Sequence, residues 1–311
     1  MDKQVEMHNR ATKIKMSAGD KAVGIFTYTV VILLCLIIVL PCLNILALSF
    51  NDGKDAARGG IWLWPRVWTL DNYVEVFKDG SIVSGYKITL MRTVIGTLMS
   101  LTVTAFAAFA LEQQELPGRS IILFFITFTM LFGGGTIPTY IQYKELGLLD
   151  TFWVLVIPSL VSVTYLMMMR SFFNGIPYAL QEAAKLDGCG YFGIFFRIML
   201  PLCKPVLAVV GLYTAVNLWN DWYAGAFYMT TNTWRPVQTV IQQMLERAAK
   251  ASDANTVSKS ASQAISRSGS NVTSDALKMA AVVITVTPIL CVYPFIQKYF
   301  AQGALIGAVK G

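Results

Sequence analysis

The sequence predicts an all-α protein embedded in a membrane, and three observations support this prediction. Of its 311 residues, 55% are hydrophobic and only 14% are charged, whereas soluble domains usually carry about 25% charged residues. Six apolar runs are each about as long as a helix needs to cross a ~30 Å hydrocarbon core. Backbone polar groups in lipid must be satisfied internally, so these runs are expected to be helices.

The six apolar runs define the expected organisation of the chain. They cover residues 22–50, 88–111, 121–143, 152–173, 205–228 and 277–295. A basic segment precedes the first run, and basic residues are enriched on the cytoplasmic side of membrane proteins. We therefore expect residues 1–21 to be a cytoplasmic amino-terminal segment, 22–298 a six-span domain and 299–311 a cytoplasmic tail. Both termini would then lie in the cytoplasm.

Three polar segments are expected to connect the spans outside the bilayer. Residues 174–204 contain Lys185 and Lys204 and are expected on the cytoplasmic side, where basic residues accumulate. Residues 51–87 and 229–276 then form extracellular loops.

The two outer loops differ in composition. The first contains Trp62 and Trp64, which fit either interfacial anchors or a docking surface. In the second, residues 251–274 are rich in serine, alanine and asparagine, which is typical of a flexible segment.

The third apolar run contains three consecutive glycines. Gly133, Gly134 and Gly135 precede Pro138, and such a cluster favours a break or bend in a helix. We expect this break near the outer end of the third span.

Charged residues within the apolar runs are few, which bears on the source of energy. Arg92 lies near the outer end of the second run, where a long side chain can extend to the interface. Asp221 is the sole acidic residue well within a run, whereas ion-coupled transporters usually bury several carboxylates. The sequence also lacks the G-x-x-x-x-G-K-[ST] loop that cradles nucleotide phosphates. If the chain moves a solute uphill, another protein must supply the energy mechanically.

Other chemical functions find little support in the sequence. The one histidine, His8, lies in the amino-terminal tail, and no nucleophile–base cluster is present, so a membrane-embedded enzyme is disfavoured. The five cysteines lack metal-ligand spacing, and neither a metal nor a cofactor is expected in this chain. Basic residues are not interleaved with aromatic residues as nucleic-acid grooves require, so no nucleic-acid partner is expected.

One polar stretch lies between the fourth and fifth runs. It reads Glu182-Ala183-Ala184-Lys185-Leu186-Asp187-Gly188, followed by Ile198-Met199-Leu200-Pro201. Pro177 suits the first turn of a helix, and Gly188 can adopt the left-handed conformation that ends one. The pattern predicts a short polar helix that a soluble partner can grip. Spacing alone also fits an amphipathic linker lying on the membrane.

This stretch resembles the EAA signature of permease subunits in binding-protein-dependent ABC importers, in which Glu-Ala-Ala, three residues, Gly and nine residues precede Ile-x-Leu-Pro. Further segments resemble carbohydrate-type permeases, among them Leu116-Pro117-Gly118-Arg119, Met169-Arg170-Ser171-Phe172-Phe173 and Trp219-Asn220-Asp221-Trp222. The carboxyl-terminal Tyr293-Pro294-Phe295 and Gly307-Ala308-Val309-Lys310-Gly311 resemble the polysaccharide and oligosaccharide subgroup. A departure is Glu112-Gln113-Gln114, where such permeases often carry basic residues.

The resemblance implies the type I ABC importer permease fold, with six spans, a cytoplasmic coupling helix and a location in the bacterial inner membrane. The coupling residues would be Glu182, Ala183, Ala184, Asp187, Gly188, Ile198, Leu200 and Pro201, seated on a dimer of ATP-binding subunits that hold ATP and Mg. A second homologous permease would complete the translocation pathway, with Trp219, Asn220, Asp221, Trp222 and Tyr223 nearby. An extracellular solute-binding protein would deliver an oligosaccharide; a peptide or amino acid is the alternative solute.

Overall fold

A computed structural model of the chain describes residues 18–78, 80–255 and 273–308. All regular elements within these ranges are helices, and the predicted all-α class is therefore confirmed. The expected cytoplasmic segment 1–21 and tail 299–311 lie partly outside the described residues, as does the serine-rich stretch 251–274.

The described ranges contain fourteen α-helices, α1 to α14 in chain order. The first six are α1 (Ala18–Ser49), α2 (Gly53–Ala56), α3 (Asp71–Lys78), α4 (Gly80–Glu112), α5 (Arg119–Leu131) and α6 (Thr136–Glu145). Two 3₁₀ turns, Phe152–Leu155 and Ile157–Ser159, precede α7 (Val163–Phe173), α8 (Ala179–Leu186) and α9 (Tyr191–Ile194). A π-helical turn at Phe195–Met199 leads into α10 (Leu200–Leu202), α11 (Lys204–Asn220), α12 (Tyr223–Tyr228), α13 (Val237–Asn255) and α14 (Ser274–Ala308).

Several of these helices have the length and composition of membrane spans. Two stretches, Gly19–Ser49 and Gly80–Glu112, are each long and apolar enough to cross a membrane. Three bent helix pairs raise the number to as many as five if each pair is one span. The sixth expected run, 277–295, lies within α14. The number of six crossings stays a prediction.

The third expected span is sharply bent. Helices α5 and α6 meet at 117° across the break that contains the three glycines. Gly135 has a φ of 86°, a conformation that glycine adopts without the penalty of a Cβ atom. The predicted break at this position is confirmed.

The fifth apolar run, 205–228, does not form one continuous helix. It is divided between α11 and α12 at Asp221 and Trp222. The Asp221 carboxylate accepts hydrogen bonds from the backbone N–H groups of Tyr223 and Ala224, at 2.9 and 3.2 Å. An aspartate in this position caps the first turn of a helix, so the chain starts a new helix here.

The expected outer loop 229–276 contains a helix that the sequence analysis did not predict. Val237, Val240 and Ile241 on α13 are buried against Ile82 of α4 and Ala280 of α14. Together with the partly buried Met244 and Leu245, they follow the i, i+3, i+4, i+7 and i+8 spacing of an amphipathic helix. That spacing is visible in the sequence and would have predicted the helix.

Helix α4 is the centre of the fold, because α7, α11 and α13 all pack against it. Its contact with α11 is close. Gly96 on α4 faces Leu218, and Gly211 on α11 faces Leu101. A Cβ atom at Gly96 would lie 2.8 Å from the Leu218 side chain, so a larger residue there would force Leu218 to shift. Small residues allow membrane helices to approach in this way.

Candidate coupling and pathway sites

The predicted coupling helix is α8, and its carboxyl end has a defined geometry. Gly188 has a φ of 80° and donates its N–H to the carbonyl of Lys185 at 3.0 Å. The N–H of Cys189 bonds the carbonyl of Ala184 at 2.9 Å. This pair of bonds is the Schellman arrangement, which requires a left-handed residue. The predicted left-handed conformation of Gly188 is confirmed.

Helix α8 has one buried face and one exposed face. Gln181 and Ala184 are buried, and Ala184 belongs to the core cluster beneath the helix. The outer face carries the exposed residues Glu182, Ala183, Leu186 and Asp187. Leu186, at the end of this face, is 89% exposed. Leu186 was not among the predicted coupling residues, although a lone apolar residue among polar ones is visible in the sequence.

The second half of the predicted coupling motif has a different role from α8. Ile198 and Leu200 are partly buried and pack against the same core cluster as Ala184, whereas Pro201 is exposed. The structure therefore brings both halves of the motif together around one core.

Arg92 and Asp221 form an ion pair where α11 ends. The Arg92 side chain is 2% exposed; its Nη2 bonds the Asp221 carboxylate and its Nη1 bonds the Asp221 carbonyl at 3.1 Å. The Nε atom donates to the carbonyl of Leu155 at 2.8 Å. The expectation that Arg92 extends toward the interface is wrong, because a carboxylate and two carbonyls satisfy it inside the protein.

A cavity of about 320 Å³ lies beside this ion pair. Its lining includes Arg92, Asp221, Ser159, Tyr165 and Asn217. The Asn217 amide donates to the Tyr165 hydroxyl at 2.6 Å. Hydroxyl, amide and aromatic groups thus surround one space within an apolar helical domain.

The five predicted pathway residues occupy different positions. Asp221 lines the cavity, whereas Trp219 is buried and donates its indole N–H to the carbonyl of Thr285 at 3.3 Å. Asn220 and Trp222 are exposed. The ring of Tyr223 stacks on that of Phe227, with 4.2 Å between the ring centroids. Trp219 therefore packs between helices. Tyr165 and Asn217 were not predicted as pathway residues, because no local pattern links residues on different helices.

Among the residues that the structure describes, no group of three or more histidine, cysteine, aspartate or glutamate side chains is placed to hold a metal ion.

Polar side chains around a cavity between membrane-length helices are typical of membrane transport subunits, since such groups are retained inside a bilayer for a solute or ion. The chain belongs to the family described as binding-protein-dependent transport system inner membrane component, whose model matches residues 89–305. The predicted family is confirmed: the protein is a membrane transport subunit and not an enzyme.

Individual relatives match over most of the chain. The chain is 37% identical to the polygalacturonan/rhamnogalacturonan transport system permease protein YtcP of Bacillus subtilis (strain 168). This match covers 91% of the chain and 96% of that protein. The chain is 38% identical over 88% of its length to Protein LplC of the same organism, covering 90% of that protein.

Solved structures share the fold. A chain in the crystal structure of a bacterial ABC transporter involved in the import of the acidic polysaccharide alginate superposes with a TM-score of 0.82 at 27% identity. The match covers 92% of this chain and 99% of that one. The predicted ABC importer permease fold is therefore confirmed.

Proposed function

We propose that this chain is one of two permease subunits of an ABC importer for oligosaccharides. The observation that carries the proposal is the exposed face of α8, which offers a docking surface next to membrane-length helices. A dimer of ATP-binding subunits would bind there and hold the ATP and Mg. Its closure would push the coupling helices of both permeases together and open the pathway outward, and hydrolysis would reset the pathway inward. An extracellular solute-binding protein would deliver the substrate.

The coupling residues in this proposal are those of the motif, with one addition. Direct contacts with the ATPase would come from Glu182, Ala183, Leu186 and Asp187. Ala184, Ile198 and Leu200 would fix the segment to the core, and Gly188 would set the end of the helix. Pro201 would mark where the chain turns back toward the bilayer.

The cavity supports a sugar rather than a peptide or amino acid as the solute. The Arg92 charge is neutralised by Asp221, so this pair offers no free charge to a peptide terminus. The other polar groups named in the lining are hydroxyls and an amide, which match sugar hydroxyls as hydrogen-bond partners. The relatives named above include a permease for polygalacturonan and rhamnogalacturonan. We propose that the residues near the pathway are Asn220, Asp221, Trp222, Tyr223, Tyr165 and Asn217. Trp219 has a structural role, because it packs between helices.

Uptake by intact cells tests the substrate class. Cells that lack this chain are expected to lose uptake of at least one labelled oligosaccharide and to regain it when the chain is restored, while peptide and amino-acid uptake stays unchanged. Loss confined to peptides or amino acids would contradict the proposal. Binding of the same glycans to the isolated solute-binding protein serves as a control, because it does not depend on this chain.

The proposed topology places the chain in the bacterial cell membrane with six crossings, both termini and residues 174–204 in the cytoplasm, and residues 51–87 and 229–276 outside. In a cysteine-free variant, Ala57→Cys is expected to react with a membrane-impermeant maleimide in intact cells. Ala183→Cys, expressed without the ATP-binding subunits that would cover it, is expected to react only after permeabilisation. Both positions are exposed on the protein surface, so reactivity reports the side of the membrane. Labelling of Ala183→Cys in intact cells would overturn this topology.

A further inference from the structure

The turn between α4 and α5 contacts the coupling helix through Glu115. One carboxylate oxygen accepts a hydrogen bond from Lys185 Nζ at 2.8 Å, and the other accepts one from the Tyr191 hydroxyl at 2.6 Å. The Lys185 ammonium also lies over the rings of Tyr178 and Tyr191, at 5.8 and 5.1 Å from their centroids. One carboxylate thus joins α8 to α9.

Glu115 stays ionised at neutral pH. The hydrogen bonds from Lys185 and Tyr191 hold the pKa of its carboxyl below the usual range. A depressed pKa means that the contact is present above the ordinary carboxyl pKa and is lost only as the pH falls through the lowered value. Protonation of Glu115 therefore does not break the contact at neutral pH, and the contact is not a pH switch.

Two further residues, one at the end of α4 and one in the turn, contact neighbouring segments. The buried Gln113 amide donates to the side-chain oxygen of Gln181, on the inner face of α8, at 3.2 Å. The Glu112 Oε2 atom lies 3.8 Å from Nη2 of Arg119 and 4.0 Å from Nε of Arg170 on α7. Glu112 and Gln113, two of the three residues that depart from the resembled pattern, therefore make these contacts.

We propose that Glu115 is a positioning residue for energy coupling: it fixes α8 to the α4–α5 turn so that a push on the coupling helix moves α4. This inference rests on the proposed function. Helix α8 has eight residues, and isolated helices shorter than ~12 residues are marginal, so its orientation depends on such supports. Helix α4 continues from the turn to Arg92, about 30 Å away at about 1.5 Å per residue.

The test uses the complete importer in proteoliposomes and measures oligosaccharide carried per ATP hydrolysed. Glu115→Gln is expected to lower this ratio about fivefold, because an amide loses the charge and gives Lys185 a weaker acceptor. The assembly yield and thermal unfolding midpoint of the complex should stay at the wild-type values. Gln114→Ala, at the exposed neighbouring position, is the matched control and should leave the ratio unchanged.

A charge exchange separates positioning from direct ATPase contact. Glu115→Lys and Lys185→Glu are each expected to lower the ratio, and the double variant is expected to recover at least about half of it, as coupled partners do. Failure of the double variant to recover would show that the two residues act separately and would overturn the inference. An unchanged ratio in Glu115→Gln, with wild-type uptake intact, would refute the inference alone. Absence of oligosaccharide uptake by the wild-type importer would refute the proposed function as well.

Discussion

Replacement of Arg92 by leucine is expected to destabilise the subunit by about 3 kcal/mol. Removing one partner of a buried ion pair costs about 3–5 kcal/mol, because the other charge is left uncompensated. The Asp221 side chain is 31% exposed, which places the effect at the lower end of that range. The carbonyl of Leu155 also loses its donor. The measurement is the thermal unfolding midpoint of the purified complex, which should fall clearly below that of the wild type.

The double variant Arg92→Leu with Asp221→Asn is the matched control. Asparagine keeps the capping hydrogen bonds to Tyr223 and Ala224, since it is as good an N-cap as aspartate. It also removes the unpaired charge, so about half of the lost stability should return. Equal unfolding midpoints for Arg92→Leu and the wild type would show that the ion pair contributes nothing to the fold.

Replacement of Gly188 by valine is expected to reduce transport and substrate-stimulated ATP hydrolysis together, by roughly tenfold. Its φ of 80° costs a residue with a Cβ atom about 1–2 kcal/mol, and a β-branched residue is the least suited. No atom lies within 4 Å of a Cβ built at this position, so the effect comes from backbone strain and not from a clash. Relaxing that strain disturbs the end of α8.

Two substitutions accompany Gly188→Val as controls. Gly190→Ala should behave as wild type, because Gly190 has a φ of −72° and open space around its Cα. Gly188→Asn should show a smaller loss, since asparagine tolerates the left-handed region. Normal assembly with normal uptake in Gly188→Val would remove this residue from the coupling mechanism.

Local features of the fold were predictable from the sequence because they depend on residues close together in the chain. The turn at Gly188 requires a residue without a Cβ penalty, and the break near Gly135 follows from three adjacent glycines. The short helix α8 follows from Pro177 just before it and Gly188 just after it. Each of these features is determined by backbone preferences within about ten residues.

Contacts between distant residues were not predictable in the same way. Arg92 and Asp221 are 129 residues apart in the chain, and the cavity beside them needs α7 and α11 to meet. Their pairing had a signal, since charges inside a membrane domain usually pair with one another. The contacts of Glu115 had no such signal in the sequence, because an acidic residue in a polar turn is ordinary. It becomes informative only when α8 and α9 are seen to pack against that turn.

The central claim is that this chain converts ATP hydrolysis by other subunits into the passage of an oligosaccharide. Proteoliposomes that contain this chain, a second permease, the ATP-binding subunits and the loaded solute-binding protein test it most directly. The account predicts ATP-dependent sugar accumulation that disappears when this chain is omitted, and no ATP hydrolysis by this chain alone. Equal accumulation without this chain, or ATP hydrolysis by the purified chain alone, would contradict the account.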